Sequence, residues 1–448
     1  MTGTNAERGV PSLPPELLLL IFIAARDSRG RLLRDAPAIE ITLSHVDSYW
    51  RTTALTSPAF WSRISIDCSS KHALSQARCY LHRSSSCPID VLIDSYDLDF
   101  PLTFPPLALG IYPARIISAT QLILEHSHRL RRFIFRCCRD KTSLECQDLL
   151  RTTSAPILQC FSIEVKYSSL YCLFDSKIFN SKDGTMRLKY FETDNPSILP
   201  SIDSLRSVVH LGLHKLVTPI TSVTLTLTIQ SLRFLCHLSL GGSVRAVTPR
   251  GTLILPNLLS LRARADSYPT HGLLAKIEAQ NLNSLWLDHG ANLKYNWQVL
   301  DGLNERQTPR FPGLHYLTIV ANHTRELHQF LFDAFPSVTH LHGVCPVGDV
   351  FAHELPRALV NCWDEVHAVV VSNFSEDNLS LMQFAGHLAT HISGCGPKKL
   401  LVNTKDRISF SRSSAFNPAR SIQVETLHAG NYDEYWWNMD EQRRCELA

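Results

Sequence analysis

The chain has 448 residues, with 44 lysines and arginines against 41 aspartates and glutamates, which gives a net charge of +3. No long basic run accompanies this small charge, so the composition argues against nucleic-acid binding. The 13 cysteines are odd in number and include no C-x-x-C pair. That pattern predicts free thiols in a reducing compartment rather than disulfides or a zinc site. We therefore expect a protein of the cytoplasm and/or nucleus that holds no metal.

The first predicted element is a helix over residues 13–25. Pro14 and Pro15 suit a first helical turn, where backbone N–H groups have no partner to lose. Glu16 follows, and a carboxylate is favourable at the positive end of the helix dipole. The next roughly nine residues are apolar on every side, and a helix of that kind must be covered on every side.

A membrane span or an export signal would be the simplest use of such a run. A spanning helix needs about 18 or more apolar residues, twice the length found here. A signal peptide has a basic segment leading directly into its apolar stretch, whereas prolines and Glu16 separate Arg8 from the leucines. No other stretch is long or apolar enough to span a bilayer, so we expect no membrane association. Export would require cleavage near Ala25.

Helical spacing resumes over residues 39–55 and ends at Ser57-Pro58, because the residue before a proline avoids the helical region. Phe60-Trp61 then opens a strand-like segment. Taken together, the residues of this region form one ordered pattern: Leu13-Pro14-Pro15-Glu16-Leu17, Ile21-Phe22, Val46, Trp50-Arg51, Ala54-Leu55, Pro58 and Phe60-Trp61-Ser62-x-Ile64.

This pattern resembles the F-box, and more specifically the F-box-like domains of the large fungal families with a leucine-rich tail. It covers about residues 11–66. The family has a cysteine where this chain has Asp47, and its interhelical loop is usually shorter. The resemblance implies a small helical module that docks on a Skp-type adaptor and, through it, on a cullin–RING ubiquitin ligase. It implies that the adaptor-binding residues are Leu13, Pro14, Glu16, Leu17, Ile21 and Trp50. In the alternative reading, this helix only caps the following domain.

Residues 67–125 are predicted to connect the module to the rest of the chain. The apolar spacing predicts a helix over Lys71 to Ser84, and Ile89 to Asp94 is typical of a strand. A proline-rich loop is predicted from Pro101 to Pro113.

Residues 126–448 repeat a short pattern of apolar positions, L-x-x-L-x-L, at intervals of about 20 to 32 residues, close to the range of about 20–29 for leucine-rich repeats. Its copies begin at Leu130, Leu158, Leu188, Val208, Leu235, Leu258, Leu282, Leu314, Val338 and Val366. Four copies carry a proline two residues earlier: Pro156, Pro256, Pro312 and Pro336. The last two apolar positions of each copy share one face of a strand, so stacked copies build a parallel sheet over one apolar column.

The predicted fold is thus α/β: a small N-terminal all-α F-box-like domain, then an irregular leucine-rich-repeat-like α/β solenoid, or horseshoe. Helices are predicted at residues 273–279 and 326–332, between strands. Tyr432 to Trp437 is predicted to cap the last repeat; in the alternative, Trp436-Trp437 is exposed as a partner-binding hot spot. The alternative is an ordinary α/β domain whose strands happen to look alike.

No nucleophile elbow, P-loop, dinucleotide-binding motif or zinc-protease motif occurs, so we expect neither catalysis nor a cofactor. The sequence predicts a substrate-recognition adaptor subunit of an SCF-type ubiquitin ligase, whose repeats bind an unidentified protein substrate and bring it near a catalytic partner. The alternative is a leucine-rich-repeat interaction scaffold without a ligase role.

Overall fold

A computed structural model describes residues 13–28, 38–95, 108–137, 140–165, 188–194, 205–214, 228–241, 252–264, 276–288, 311–320, 325–344, 368–372, 399–402 and 423–426. The chain divides into two compact units, one running to Phe161 and the other covering the chain from Arg187 onward, with the strand Cys160–Val165 divided between them. The predicted cap at residues 432–437 lies outside the described residues, and the domain boundaries drawn from the sequence stay predictions.

The first unit begins with helix α1, Pro15–Ser28, which starts at a proline as predicted. The segment 39–55 is not one helix but two, α2 (Ile39–Ser44) and α3 (Ser48–Leu55). The break has a local cause: the Asp47 carboxylate accepts the backbone N–H of Trp50 at 2.7 Å and caps a new helix. Asp47, which departs from the resembled family, is thus a helix cap here.

A 3-10 turn, Pro58–Trp61, leads into strand β1, Arg63–Asp67. The predicted helix and strand that follow are confirmed as α4 (Ala73–Arg83) and β2 (Ile89–Asp94). The unit continues through α5 (Ala108–Leu124), β3 (Leu130–Cys137), α6 (Asp140–Arg151) and β4 (Cys160–Val165). Strands β1, β2 and β3 are parallel neighbours in that order.

The proline-rich loop prediction is wrong for residues 108–113, which form the start of α5 with Pro113 inside the helix. A proline there removes one backbone hydrogen bond. Ile116, Ala119 and Ile123 are buried at helical spacing beyond it, and their packing outweighs that loss.

In the second unit, ten described strands form one parallel sheet in the order β5-β6-β7-β9-β11-β12-β13-β14-β15-β16, and β8 pairs with β10 separately. Their bounds are β5 Tyr190–Thr193, β6 His210–Leu213, β7 His237–Gly241, β8 Leu253–Ile254, β9 Ser260–Arg264, β10 Ile277–Glu278, β11 Ser284–Asp288, β12 Tyr316–Val320, β13 His340–Val344, β14 Ala368–Ser372, β15 Lys399–Val402 and β16 Gln423–Thr426. The mixed α/β class with a long parallel sheet, predicted from the repeats, is confirmed.

One of the two predicted helices between strands is present, as α7 (Arg325–Ala334). The other prediction is wrong at Ile277–Glu278, which is strand β10. Ile277 and Ala279 are buried on either side of Glu278, which is the alternation of a strand rather than of a helix.

Equivalent positions of the repeated pattern lie side by side in the sheet. Each middle apolar position is paired with the next one along: Phe191, Leu211, Leu238, Leu261, Leu285, Leu317 and Leu341. All seven side chains are almost completely buried. The leucine spacing therefore encodes both the strand positions and their register.

A turn precedes seven of the described strands and explains the prolines. In seven copies of the pattern, the N–H of the first apolar residue donates to the carbonyl three residues earlier: Leu158 to Ala155, Val208 to Leu205, Leu235 to Leu232, Leu258 to Leu255, Leu282 to Ala279, Leu314 to Phe311 and Val338 to Phe335. Proline is favoured at the second position of such a turn, which is where the four prolines lie. The residues whose carbonyls accept these hydrogen bonds are buried, so each of these repeats has a fourth apolar position that the predicted pattern lacks.

Candidate partner-binding site

Helix α1 has one buried side and one exposed apolar side. Leu18 and Phe22 are buried at four-residue spacing. The exposed large side chains, which we call the docking face, are Leu13 (46%), Leu17 (49%), Leu20 (62%) and Ile21 (49%). Residues three and four apart share one side of a helix, so Leu17, Leu20 and Ile21 lie together. Four large apolar side chains remain in contact with water on one side of this element.

Aromatic packing fixes the buried side of α1. The Phe22 ring lies 5.1 Å from Trp50 of α3 and 5.4 Å from Phe60 of the 3-10 turn, measured between ring centroids. At the other end of the helix, Arg26 Nη1 donates to the carbonyls of Ala59 and Phe60 at 3.1 and 3.0 Å. The docking face is therefore held by α3 and by the turn that follows it.

The start of α1 is tied down as well. The Leu18 N–H donates to the Pro14 carbonyl at 3.0 Å, which closes the first helical turn. Tyr49 Oη donates to the Leu13 carbonyl at 2.5 Å and joins α3 to the segment that enters α1. The sequence pattern does not single out Tyr49, because the partner of this hydroxyl is a backbone atom far along the chain.

The predicted adaptor-binding residues fall into two groups. Leu13 and Pro14, which lead into α1, and Glu16, Leu17 and Ile21, in its first two turns, are all exposed. Trp50 is half-buried, because one side of its ring packs on Phe22. The structure thus brings five of the six predicted residues together at the N-terminal end of α1. The sixth, Trp50, packs against the buried side of that helix.

Within residues 13–66, four exposed large apolar residues are absent from the predicted set: Leu20, Ile41, Val46 and Leu55. Ile41 lies on α2, Val46 in the turn before α3, and Leu55 at the end of α3. In a run that is apolar on all sides, periodicity does not distinguish exposed positions such as Leu20 from buried ones. The break at Asp47 then turns Val46 away from the helical stripe that the spacing implies.

The second unit has a distinct set of residues on the sheet face opposite the leucine column, most of them buried. One residue lies between the two apolar positions of each strand. These middle residues, which are mostly polar, form what we call the polar row: Glu192, Gly212, Ser239, Arg262, Trp286, Thr318 and His342. Side chains alternate between faces along a strand, so this row lies on the other face from the leucines.

At the β5 end of the row, the Glu192 side chain crosses the neighbouring strand. Its carboxylate contacts Tyr190 Oη and His214 Nε2. A Cβ at position 212 would lie 2.8 Å from Glu192 Cγ, so Gly212 leaves the space that this crossing needs. The result is a Tyr–Glu–His cluster in which Tyr190 and Glu192 are buried and His214 is half-buried.

Further along the row, an aromatic ring separates two nitrogen-bearing side chains. The Arg262 guanidinium lies 4.3 Å from the centre of the Trp286 ring, and the His342 ring meets Trp286 edge-on at 6.5 Å. Burial lowers the pKa of His342 to about 4, and that of His237 on β7 likewise to about 4. These two imidazoles are therefore neutral at physiological pH.

Two features are missing from the described part of the chain. Among those residues, no group of three or more histidines, cysteines and carboxylates could hold a metal ion. No helix among them is long and apolar enough to cross a membrane.

Comparison with known proteins identifies no family. No protein-family model matches the chain, and no curated protein matches it. Among solved structures, the chain is similar to the crystal structure of a Bacteroides fragilis protein determined as a structural genomics target. The identity is 13%, over 70% of this chain and 83% of that chain, with a TM-score of 0.35. A likeness of this size supports no statement about function.

Proposed function

We propose that this protein is a substrate-recognition adaptor subunit of an SCF-type cullin–RING ubiquitin ligase that works in the cytoplasm and/or nucleus. The observation that carries the proposal is the docking face, a set of exposed leucines and isoleucine on a helix otherwise built to be buried. Three of its four residues, Leu13, Leu17 and Ile21, are among those through which the F-box pattern implies binding to a Skp-type adaptor. The protein itself supplies no catalysis in this role and needs no cofactor.

The energetics favour a partner for this face. Burying a large aliphatic side chain contributes about 1.5–3 kcal/mol, so the four docking residues together can contribute several kcal/mol to association. Contiguous exposed apolar patches on proteins mark interaction sites. A partner helix or groove that covers α1 would therefore bury apolar side chains that the first unit leaves exposed to water.

The second unit fits the role of substrate binding. Its paired repeats support a leucine-rich-repeat-like solenoid, and such arrays use extended faces to bind other proteins. The polar row contains Arg262 and Trp286, two residue types enriched in binding hot spots. We propose that the second unit contacts the protein substrate through the half-buried Arg262 and Trp286, and that the subunit acts by holding substrate near the ligase's catalytic partner.

The proposal is tested by calorimetric titration of a purified Skp-type adaptor into the full-length protein. The variant is Leu17→Ala with Ile21→Ala, and the matched control is Ile254→Ala, another exposed aliphatic residue but in the second unit. We expect the double variant to weaken binding by about 100-fold or more, since two buried aliphatic contacts are lost. The control should bind like the wild type.

A wild-type protein that does not bind the adaptor would overturn the proposal. A leucine-rich-repeat interaction scaffold without a ligase role would then be the remaining reading. Equal weakening by the Ile254→Ala control would also count against it, because the effect would not be specific to the docking face.

A further inference from the structure

Helix α4 packs on the tryptophan that ends the 3-10 turn. The Tyr80 ring meets Trp61 edge-on at 5.1 Å, and the Arg83 guanidinium carbon lies 4.2 Å above the centre of the Trp61 ring. Trp61 is fully buried, so these two side chains close off one side of it. Cation–π contacts of this kind are strongest when they are shielded from water.

From Trp61 a chain of contacts leads back to α1. The Trp61 ring lies 5.9 Å from Phe60, and Phe60 lies 5.4 Å from Phe22 on the buried side of α1. Trp61 Nε1 also donates to the Ala54 carbonyl of α3 at 2.7 Å. The position of Trp61 therefore influences α1 and α3, two of the helices that carry exposed apolar residues.

A second link joins α4 to α2. Tyr80 Oη donates to Glu40 Oε2 at 3.3 Å, and the Glu40 carboxylate is buried. Burial raises the pKa of Glu40, while Arg26 and Arg63 nearby oppose that rise. Helix α4 thus touches α2 directly and reaches α1 and α3 through Trp61.

We propose that α4 is a positioning element of the docking face, in which Tyr80 and Arg83 fix Trp61 and, through Phe60 and Phe22, the orientation of α1. The partner named here rests on the proposed function. The unit required for docking then extends through Arg83, beyond the 11–66 segment that the F-box resemblance covers. Neither Tyr80 nor Arg83 needs to touch the adaptor.

The test uses the full-length protein with Arg83→Ala, the rescue variant Arg83→Lys, and the control Arg78→Ala, an exposed arginine on the same helix. Titration with a Skp-type adaptor should show about fivefold weaker binding for Arg83→Ala, from loss of the cation–π contact. Arg83→Lys should recover most of the affinity, and Arg78→Ala should match the wild type. Tyr80→Phe, which keeps the ring and removes the bond to Glu40, is the milder second variant.

Hydrogen exchange of the α1 amides provides a readout that does not need the adaptor. In Arg83→Ala, exchange at Leu18 and its neighbours should rise by about fivefold or more, although Arg83 does not touch α1. Asn281→Ala, a destabilising change in the second unit, should leave α1 exchange unchanged. If the wild type fails to bind the adaptor, the proposed function fails, and exchange alone decides whether α4 holds α1. Unchanged exchange in Arg83→Ala, or unchanged affinity where the wild type binds, overturns the proposal.

Discussion

The two units are stabilised by contacts of different range. In the first unit, aromatic rings from distant segments meet in one cluster: Phe22, Phe60, Trp61 and Tyr80, each within 6 Å of the next. In the second unit, Leu238, Leu261 and Leu285 are equivalent residues of successive repeats, paired in register. The first arrangement depends on unique long-range contacts, whereas the second repeats one local contact many times.

This difference predicts different responses to substitution. Contacts between neighbouring repeats contribute approximately independently, so one change affects the repeats beside it. A shared aromatic cluster couples all the elements that supply its rings, and changes within it are not additive. The docking face belongs to the coupled unit, which is why its geometry depends on residues that lie outside it.

The largest expected effect contrasts the two sides of α1. Phe22→Ala removes a fully buried ring that packs on Trp50 and Phe60, and should lower the free energy of unfolding by about 4 kcal/mol. Leu20→Ala, on the exposed side of the same helix, should change it by less than about 0.5 kcal/mol. Urea denaturation measures both. Similar losses for the two variants would contradict the assignment of sides.

A buried arginine makes the next largest test of long-range coupling. Arg129, only 5% exposed, donates to the Leu81 carbonyl at 2.8 Å, to Ser84 Oγ at 3.0 Å and to the Ser85 carbonyl at the end of α4. Arg129→Ala leaves these buried acceptors without their charged donor and should cost about 3 kcal/mol in urea denaturation.

The control is Arg131→Ala, two residues along the same basic run. Arg131 is half-exposed and pairs with Asp90 at 2.6 Å, so its loss should cost less than about 1 kcal/mol. Comparable losses for both arginines would show that Arg129 is not the cap of α4 that the structure indicates.

The sequence predicts the second unit better than the first, because each copy of a local pattern independently indicates a strand of the same sheet. The L-x-x-L-x-L copies locate the strands of the long sheet from β5 to β14, which exclude β8 and β10, and give their register. The helix start at Pro15 is equally local. By contrast, α5 passes through Pro113 because of packing that no local signal reveals, and β10 replaces a predicted helix because it pairs with β8.

The candidate site is predictable only in part for the same reason. Pattern and resemblance identify Leu17 and Ile21 on α1, and both are exposed. The supporting contacts come from Tyr49, Tyr80 and Arg83, whose partners lie far along the chain or on the backbone. Spacing within one helix carries no information about such partners.

Acid sensitivity should originate in the second unit through its buried histidines. His342 has a pKa of about 4 in the folded protein against an ordinary 6.5, so below pH 6.5 the unfolded chain binds the proton that the folded protein excludes. Stability then falls as pH drops from 6.5 towards 4, by about 2 kcal/mol at pH 5. His342→Phe keeps a ring beside Trp286 and should remove this contribution of His342, while the similar contribution of His237 remains.

The measurement is the unfolding free energy of wild type and variant at about pH 7 and about pH 5. The control is His82→Gln, an exposed histidine of α4, which should keep the wild-type dependence on pH. If wild type and His342→Phe lost the same unfolding free energy between the two pH values, the pKa of His342 would not be lowered by folding.

The smallest expected effect tests whether the repeats are energetically independent. Asn281, directly before a first apolar position, donates its side-chain N–H to the Pro256 carbonyl of the preceding repeat at 2.7 Å, and Asn257 donates equivalently to the Arg233 carbonyl at 2.9 Å. Asn281→Ala should cost about 1 kcal/mol in urea denaturation. Asn283→Ala, an exposed residue nearby, should cost less than about 0.5 kcal/mol.

The double variant Asn257→Ala with Asn281→Ala decides the matter, because its two contacts use different carbonyls in successive repeats. Independent repeat contacts predict a loss equal to the sum of the single losses, within about 0.5 kcal/mol. A larger deviation would mean that the second unit is coupled like the aromatic cluster of the first. The contrast between the units would then be one of sequence pattern alone and not of energetics.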